Sequence, residues 1–406
     1  MKAIRPVWHG IDTAKVGYNV HWPDDFQKCL DQFEQLRDSA RQAERQGYCV
    51  SHALIPGGPE YVVWTTGSRM LPYAFERGGI VLFFSATSTM WVHDGCVTPN
   101  LRAEFSPRAV ACNGLAAVHR MVLDLIAAMG GTCTENQLSE VHMTCDVETD
   151  RPHDLTDYYG AVDHPWDRVC TRIRTNGATS APEQADARAE GSRRKLKYVH
   201  IGRDKKMLRI YDKMLELQAH PDKQFEAALW SSRNHDHYIR SNGMTERPPT
   251  AIMRVEFQLR REAIRELGIR TVEHFLSSMG YIWQKLTTES VRMIDLDDEN
   301  RTRCSTQQWW RVVQDAWTSE PNAAPTPEDI ALPAFTKYAD QIMGLLTSAS
   351  AYLPESETQV LTTVLLKLEN HWSQSHDKSW KEIMQNKRTQ LNIRRAKLGG
   401  GTDAPQ

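Results

Sequence analysis

The chain has no run of eighteen or more apolar residues, so a membrane-crossing helix is not expected. Its opening stretch, MKAIRPVWHGID, lacks an apolar core of signal-peptide length, and a cytoplasmic location without membrane contact is the expectation. No CxxC pair occurs. The cysteines, Cys29, Cys49, Cys96, Cys112, Cys133, Cys145, Cys170 and Cys304, stand singly. That argues for small reduced thiols rather than a zinc site or a disulfide frame. Bulk charge of one sign is lacking too: Lys and Arg number 49, Asp and Glu 51, for a formal net charge of -2. Indiscriminate coating of nucleic acid is thereby excluded, while a basic groove on a neutral body is not. At 406 residues, 40% hydrophobic and 25% charged, the chain has the composition of a globular protein with room for two or three domains.

What is present is a local concentration of cations. Between Arg193 and Lys213 there are nine Lys or Arg against two Asp, and the phenol of Tyr211 sits among them in MLRIYDKM. Cations favour a phenolate and attract an anionic substrate, and a phosphodiester backbone is the natural candidate. Attack by Tyr211 would give a phosphotyrosine link and release a sugar hydroxyl, storing the bond for rejoining. The ordinary alternative is a strand tyrosine half-buried beside solvated lysines. On a strand, Arg209 and Lys213 share the face of Tyr211 and are candidates to contact the phosphate. Arg193, Arg194, Lys195, Lys197, Arg203, Lys205, Lys206 and Arg254 are candidates to track DNA backbone, giving affinity without reading sequence.

The hydrophobic pattern predicts an α+β fold with an antiparallel or mixed sheet and an α-helical C-terminal region. Phe26, Cys29, Leu30, Phe33, Leu36 and Ala40 repeat at helical spacing. Strands are predicted at VGYNVHW, YVVWTTGS, GGIVLFFSAT, LRAEFS, VHMTCDVETD, KLKYVHIGR, MLRIYDKM and MRVEFQLR, the last running into a helix that reaches Met279. Residues 175–191, small and polar, read as a mobile loop. Accordingly, residues 1–279 are expected to form a catalytic domain. A helical Trp-rich extension over 280–317, a Pro-rich linker over 318–327 and a helical region over 328–406 follow. From Lys378 to Lys397 the tail carries seven cations and one acid.

Acidic residues recur inside otherwise apolar strands, where they are costly unless paired. His142, Thr144, Asp146 and Glu148 share one strand face, as do Arg254, Glu256 and Gln258, and as do Arg102 and Glu104. Phosphoryl transfer to a phenol commonly uses a divalent ion held by carboxylates, and salt bridges to arginine are the competing explanation. The two R-x-E-F strands echo each other and suggest an internally duplicated fold. His235 and His237 form an H-x-H in a polar setting that reads as a loop, and the pair Tyr158 and Tyr159 lacks nearby cations.

LRAEFSPRAV, VHMTCDVET, KYVHIGRDKKMLRIYDKM and MRVEFQLRR, in that order over roughly residues 60–275, resemble the replication initiation factor family. Its members are rolling-circle replication initiators and relaxases of plasmids, integrative elements and filamentous phages. The resemblance implies a metal-dependent, origin-specific DNA nickase and strand transferase that works through a covalent 5′-phosphotyrosine. Tyr211 matches the family's nucleophile, and Asp146 and Glu256 match its metal-binding acids, with Mg²⁺ or Mn²⁺ as cofactor. The family's L-D-L-x-F-D pattern is broken here, because His142 stands where its first aspartate would be. Either His142 is itself a ligand and shifts metal preference, or Asp146 and Glu256 alone matter; Glu104 is a third candidate ligand. Origin DNA with a hairpin, single-stranded at the nick, a host helicase and a second copy of the chain are the implied partners. The phenol's proton acceptor is not legible, with His200 a candidate. A non-catalytic DNA-binding regulator of the same fold is the alternative.

Overall fold

The computed structural model describes residues 5–46, 49–89, 91–93, 96–149, 169–171, 187–192, 195–220, 223, 226, 230 and 251–324. Alternating apolar residues build fifteen strands among them: β1 (Arg5–His21), β2 (Ser51–Ala53), β3 (Glu60–Val63), β4 (Tyr73–Arg77), β5 (Ile80–Phe84), β6 (Trp91–His93), β7 (Cys96–Thr98), β8 (Leu101–Phe105), β9 (Thr132–Thr149), β10 (Val169–Thr171), β11 (Ala187–Ser192), β12 (Lys195–Arg203), β13 (Lys206–Asp212), β14 (Ala251–Arg260) and β15 (Val291–Met293). Eleven of them form one sheet in the order β11-β12-β13-β14-β9-β1-β8-β5-β4-β3-β2. The α+β class with a large antiparallel sheet is the observed one.

Period-two burial gives this sheet two unlike faces. Val16, Tyr18, Phe75, Phe84, Cys145, Val255, Phe257 and Ile210 are buried on one of them. Helices cover that face. Phe33 of α1 (Gln27–Glu44) lies 4.6 Å from Phe75, ring centre to ring centre, and Trp283 of the helix Met279–Lys285 lies 5.6 Å from Phe257. The opposite face carries the polar members of the same strands. Four register shifts along the β1–β9 pairing bend these two long central strands, as bulges do.

Register reveals a duplication. In one half the order is β12-β13-β14-β9, and in the other β4-β5-β8-β1, related by the antiparallel β1–β9 contact. Glu256 of β14 faces Thr144 and Arg209, while Glu104 of β8 faces Lys15 and Val81. Arg254 faces Asp146 and Tyr211, while Arg102 faces Gly17 and Phe83. The echoed R-x-E-F strands are therefore counterparts. The first half holds Phe83 where the second holds Tyr211, and Gly17 where the second holds Asp146. Gly17 is closed over: a Cβ there would lie 2.6 Å from Pro99 Cγ. Gly17→Ala should cost about 1–3 kcal/mol through this overpacking, read as a lowered urea midpoint with unchanged slope. An unshifted midpoint would mean that the Pro99 ring yields freely.

Several local expectations change. LRAEFS is followed directly by the helix Pro107–Asn113, which Pro107 opens and the Ser106 side chain caps by accepting from the Ala109 N–H at 3.3 Å. VHMTCDVETD is the end of an 18-residue strand. The expected loop over 175–191 gives way at Ala187 to edge strand β11, paired with β12, while 175–186 lie outside the described residues. The helix predicted to reach Met279 is divided into Arg261–Glu266, Val272–Ser277 and Met279–Lys285, with Gly268 (φ 82°) at the first break and Ser278 (φ -118°) at the second. Trp317, from the Trp-rich stretch, donates its indole N–H to the Thr144 carbonyl at 3.1 Å, behind the polar face. The chain divides into two compact units, Met1–Ile264 with Arg270–Ala324, and Arg265–Ile269 with Pro325–Gln406. The predicted C-terminal helices and basic tail, like Tyr158, Tyr159, His235 and His237, lie outside the described residues. Among the described residues no single helix is long and apolar enough to cross a membrane.

Candidate active site

On β13, Arg209 and Tyr211 alternate with the buried Leu208 and Ile210 and so reach the polar face. The Tyr211 hydroxyl donates to Glu256 Oε2 at 3.0 Å. Arg209 donates to Glu256 Oε1 at 3.0 Å and to Gln258 Oε1 at 2.8 Å. His142 Nδ1 stands 3.0 Å from the same Glu256 Oε1, and its Nε2 3.3 Å from Glu140 Oε1. Glu256 is only 3% exposed, so these donors stand in for its water.

The electrostatics follow from burial and pairing. Burial raises the Tyr211 phenol well above its ordinary value of 10.0, and the charge of Glu256 adds to this against the opposing Arg254. The phenol is protonated at neutral pH. The expectation that surrounding cations favour a phenolate is thus corrected, because the nearest charge is a carboxylate. Burial disfavours ionised Glu256, yet His142 and Arg209 outweigh it and hold the group well below the usual carboxylate range. Burial likewise opposes charge on His142, but hydrogen bonds to Glu140 and Glu256 lift it to about 9. The bond from His142 takes Glu140 down to about 2.

This cluster sets a pH window for stability. The folded value of His142, about 9, exceeds its ordinary 6.5, so its contribution is complete below pH 6.5 and is lost as pH rises through 9. Glu140 is depressed to about 2 from 4.5, so its contribution is complete above pH 4.5 and is lost as pH falls towards 2. Melting temperature measured against pH should show an alkaline decline that His142→Gln flattens. An identical alkaline limb in the variant would contradict the assignment.

Asp146 has a different neighbourhood. It is fully buried, and Arg254 donates to it from Nε at 2.6 Å and from Nη2 at 2.8 Å. The Trp230 indole donates to it at 2.9 Å. Arg254 Nη1 lies 2.8 Å from Asp12 Oδ1 and 2.8 Å from Glu226 Oε2, and the guanidinium rests 5.3 Å from the Trp8 ring centre. One guanidinium thus serves three carboxylates. Arg254 is 0% exposed, so its expected role as a DNA contact is corrected. Lys213 also departs from expectation. It begins the helix Lys213–Ala219 instead of extending the strand, and it is 1% exposed. Its ammonium is held by Glu216 and Glu226, over the Tyr211 ring at 5.9 Å. No substrate contact is open to it in this arrangement.

A divalent ion gripped by Asp146 and Glu256 does not fit these residues. The Arg254 guanidinium lies against both Asp146 oxygens, where the ion would have to sit, and the Glu256 oxygens are taken by Tyr211, Arg209 and His142. Glu104 is not brought in. It sits on β8, beyond β9 and β1, and pairs with Arg102 at 3.2 Å. Among the described residues no three His, Cys, Asp or Glu side chains converge as a metal site.

The remaining cations border the β12–β13 hairpin. Arg203 lies 3.4 Å from Asp204, Lys205 lies 3.3 Å from Glu262, and Lys206 donates to Ser290 Oγ at 3.1 Å. The side chains of Arg203 and Lys205 keep 47% of their surface exposed. Lys195 and Lys197 lie on β12, and Arg193 and Arg194 lie outside the described residues. His200 directs Nε2 to the Gly202 carbonyl, whereas the phenol's acceptor is Glu256.

No family model matches the sequence, and no curated protein matches it. A distant similarity is found among solved structures. The rolling circle replication initiator protein from Geobacillus stearothermophilus shares 12% identity with a TM-score of 0.37, over 80% of this chain and 100% of that one. Sequence reasoning missed Glu140, Asp12 and Glu226 as members of the cluster, while strand alternation had already placed Gln258 on the face of Glu256. Glu140 was within reach of the same alternation, two residues from His142. Asp12 and Glu226 carried no comparable signal, because they arrive from a bulged strand and from the chain beyond the helix Lys213–Ala219.

Proposed function

We propose that the protein is an origin-nicking DNA strand transferase of the rolling-circle initiator kind, with Tyr211 as nucleophile. The observation that carries this reading is the Tyr211–Glu256 hydrogen bond beside a guanidinium that is 29% exposed. A phenol, an acceptor for its proton and a group that can meet a phosphate stand together on one sheet face. In the proposed step the phenol oxygen forms a bond to phosphorus while Glu256 takes the phenol proton. The bond from phosphorus to the 3′ oxygen breaks, that oxygen acquires a proton, and a 5′-phosphotyrosine remains. Attack by a 3′-hydroxyl reverses the sequence and rejoins the strand. A phosphate that draws Arg209 away from Glu256 also removes one of the charges suppressing its basicity, so substrate binding readies the proton acceptor.

The scissile step must be single-stranded to reach Tyr211, so the proposed substrate is an origin hairpin or bubble. A host helicase and a second copy of the chain complete the proposed setting. The test is a labelled library of single-stranded and hairpin DNA drawn from the replicon that carries the gene, with and without Mg²⁺ or Mn²⁺. A denaturant-resistant protein–DNA adduct is expected, and none across the whole library would sink the proposal. One observation favours a second reading, a DNA-binding regulator without cleavage: all four oxygens of Asp146 and Glu256 already have partners. That reading expects salt-sensitive binding and no adduct.

A further inference from the structure

His142 makes an unusual pair of contacts. Each ring nitrogen meets a carboxylate, Nδ1 at 3.0 Å from Glu256 and Nε2 at 3.3 Å from Glu140. An ionised carboxylate only accepts hydrogen bonds, so a histidine that meets one with each nitrogen carries a hydrogen on both. Both acids have reason to stay ionised. Glu140 also lies 3.5 Å from Lys15 and 3.5 Å from Arg260, and Glu256 receives Arg209 and Tyr211. From β1, Asp12 adds a further negative charge towards the ring. The His142 side chain is 12% exposed, so its charge acts at short range in a poorly solvated place.

A cation beside the carboxylate that accepts the phenol's proton is what a divalent ion would otherwise supply. Here the chain provides one of its own. We propose that His142 is the site's resident cation, a positioning residue that holds Glu256 under the Tyr211 hydroxyl when Arg209 turns to the phosphate, so that strand transfer proceeds without a divalent ion. The proposal rests on the reading of Tyr211 as nucleophile. It also has a converse. Replacing the imidazolium by a carboxylate leaves Glu140 and Glu256 facing a third acid, a hard oxygen set of the sort Mg²⁺ and Mn²⁺ prefer.

Two measurements on the full chain test this. The first is Mn²⁺ binding, followed by electron paramagnetic resonance, for wild type, His142→Asp and His142→Glu, with circular dichroism to verify folding. Binding at least about tenfold tighter in a folded acidic variant than in wild type is expected. Equal binding in all three, or tight wild-type binding lost in His142→Gln, would overturn the proposal. The second is adduct formation in EDTA against Mn²⁺. Wild type should change by less than about twofold, while the acidic variants should depend on the metal. A wild-type adduct that falls tenfold or more in EDTA overturns metal independence but leaves Tyr211 as nucleophile. No wild-type adduct in either condition strikes the nucleophile reading, and the Mn²⁺ measurement still judges His142 by itself.

Discussion

Tyr211→Phe is expected to reduce the covalent DNA adduct by about a thousandfold or more while leaving the protein folded. Removing a nucleophile removes the only atom that can form the intermediate, and its neighbours cannot compensate for it. The structural cost is small by comparison. Glu256 loses one of its donors but keeps Arg209 and His142, so the change amounts to one hydrogen bond, about 1 kcal/mol. The first half of the sheet offers an internal control, since Phe83 is the counterpart of Tyr211. Phe83→Tyr in the Tyr211→Phe background should form no adduct, because Val81 stands where Arg209 does and Pro99 closes over Gly17. Gel separation of labelled adducts, paired with thermal melts, checks both statements. A full adduct yield from Tyr211→Phe would move the chemistry elsewhere in the molecule.

Much of this fold was legible in the sequence because local signals agreed with one another. The alternation in LRAEF, MRVEFQLR and MLRIYDK identified strands and their polar faces, and the repeated R-x-E-F strand announced the duplication. What sequence could not supply was register. Asp146 and Glu256 were both on polar strand faces, yet which residue each would meet depended on how β9, β14 and β13 aligned. The alignment places Arg254 opposite Asp146, and Glu256 two residues further along, opposite Arg209. A shift of two residues would have exchanged those partners. Lys213 illustrates a second limit. Strand periodicity assigned it to the face of Tyr211, but the strand ends at Asp212 and the helix that follows turns the lysine into the interior. Arg254 illustrates a third, since a cation in a basic neighbourhood reads as a surface contact until three carboxylates are found around it.

That buried arginine carries the largest expected effect on stability. Arg254→Met should destabilise the fold by about 3–5 kcal/mol, because Asp146, Asp12 and Glu226 would keep their burial and lose their shared cation. For a unit of this size the melting temperature should fall by on the order of ten degrees. Arg254→Lys should recover little, since an ammonium cannot present the planar fork that meets both Asp146 oxygens and reaches Asp12 as well. Asp146→Asn separates the pairing from the metal expectation. As an ion-pair partner, Asp146 should lose stability on becoming neutral, and Arg254→Met with Asp146→Asn together should cost less than the sum of the two alone. As a metal ligand, Asp146 would instead lose divalent binding with little change in melting. Denaturant melts of the two single variants and the double variant therefore decide between a pair that anchors β9 to β14 and a carboxylate reserved for an ion.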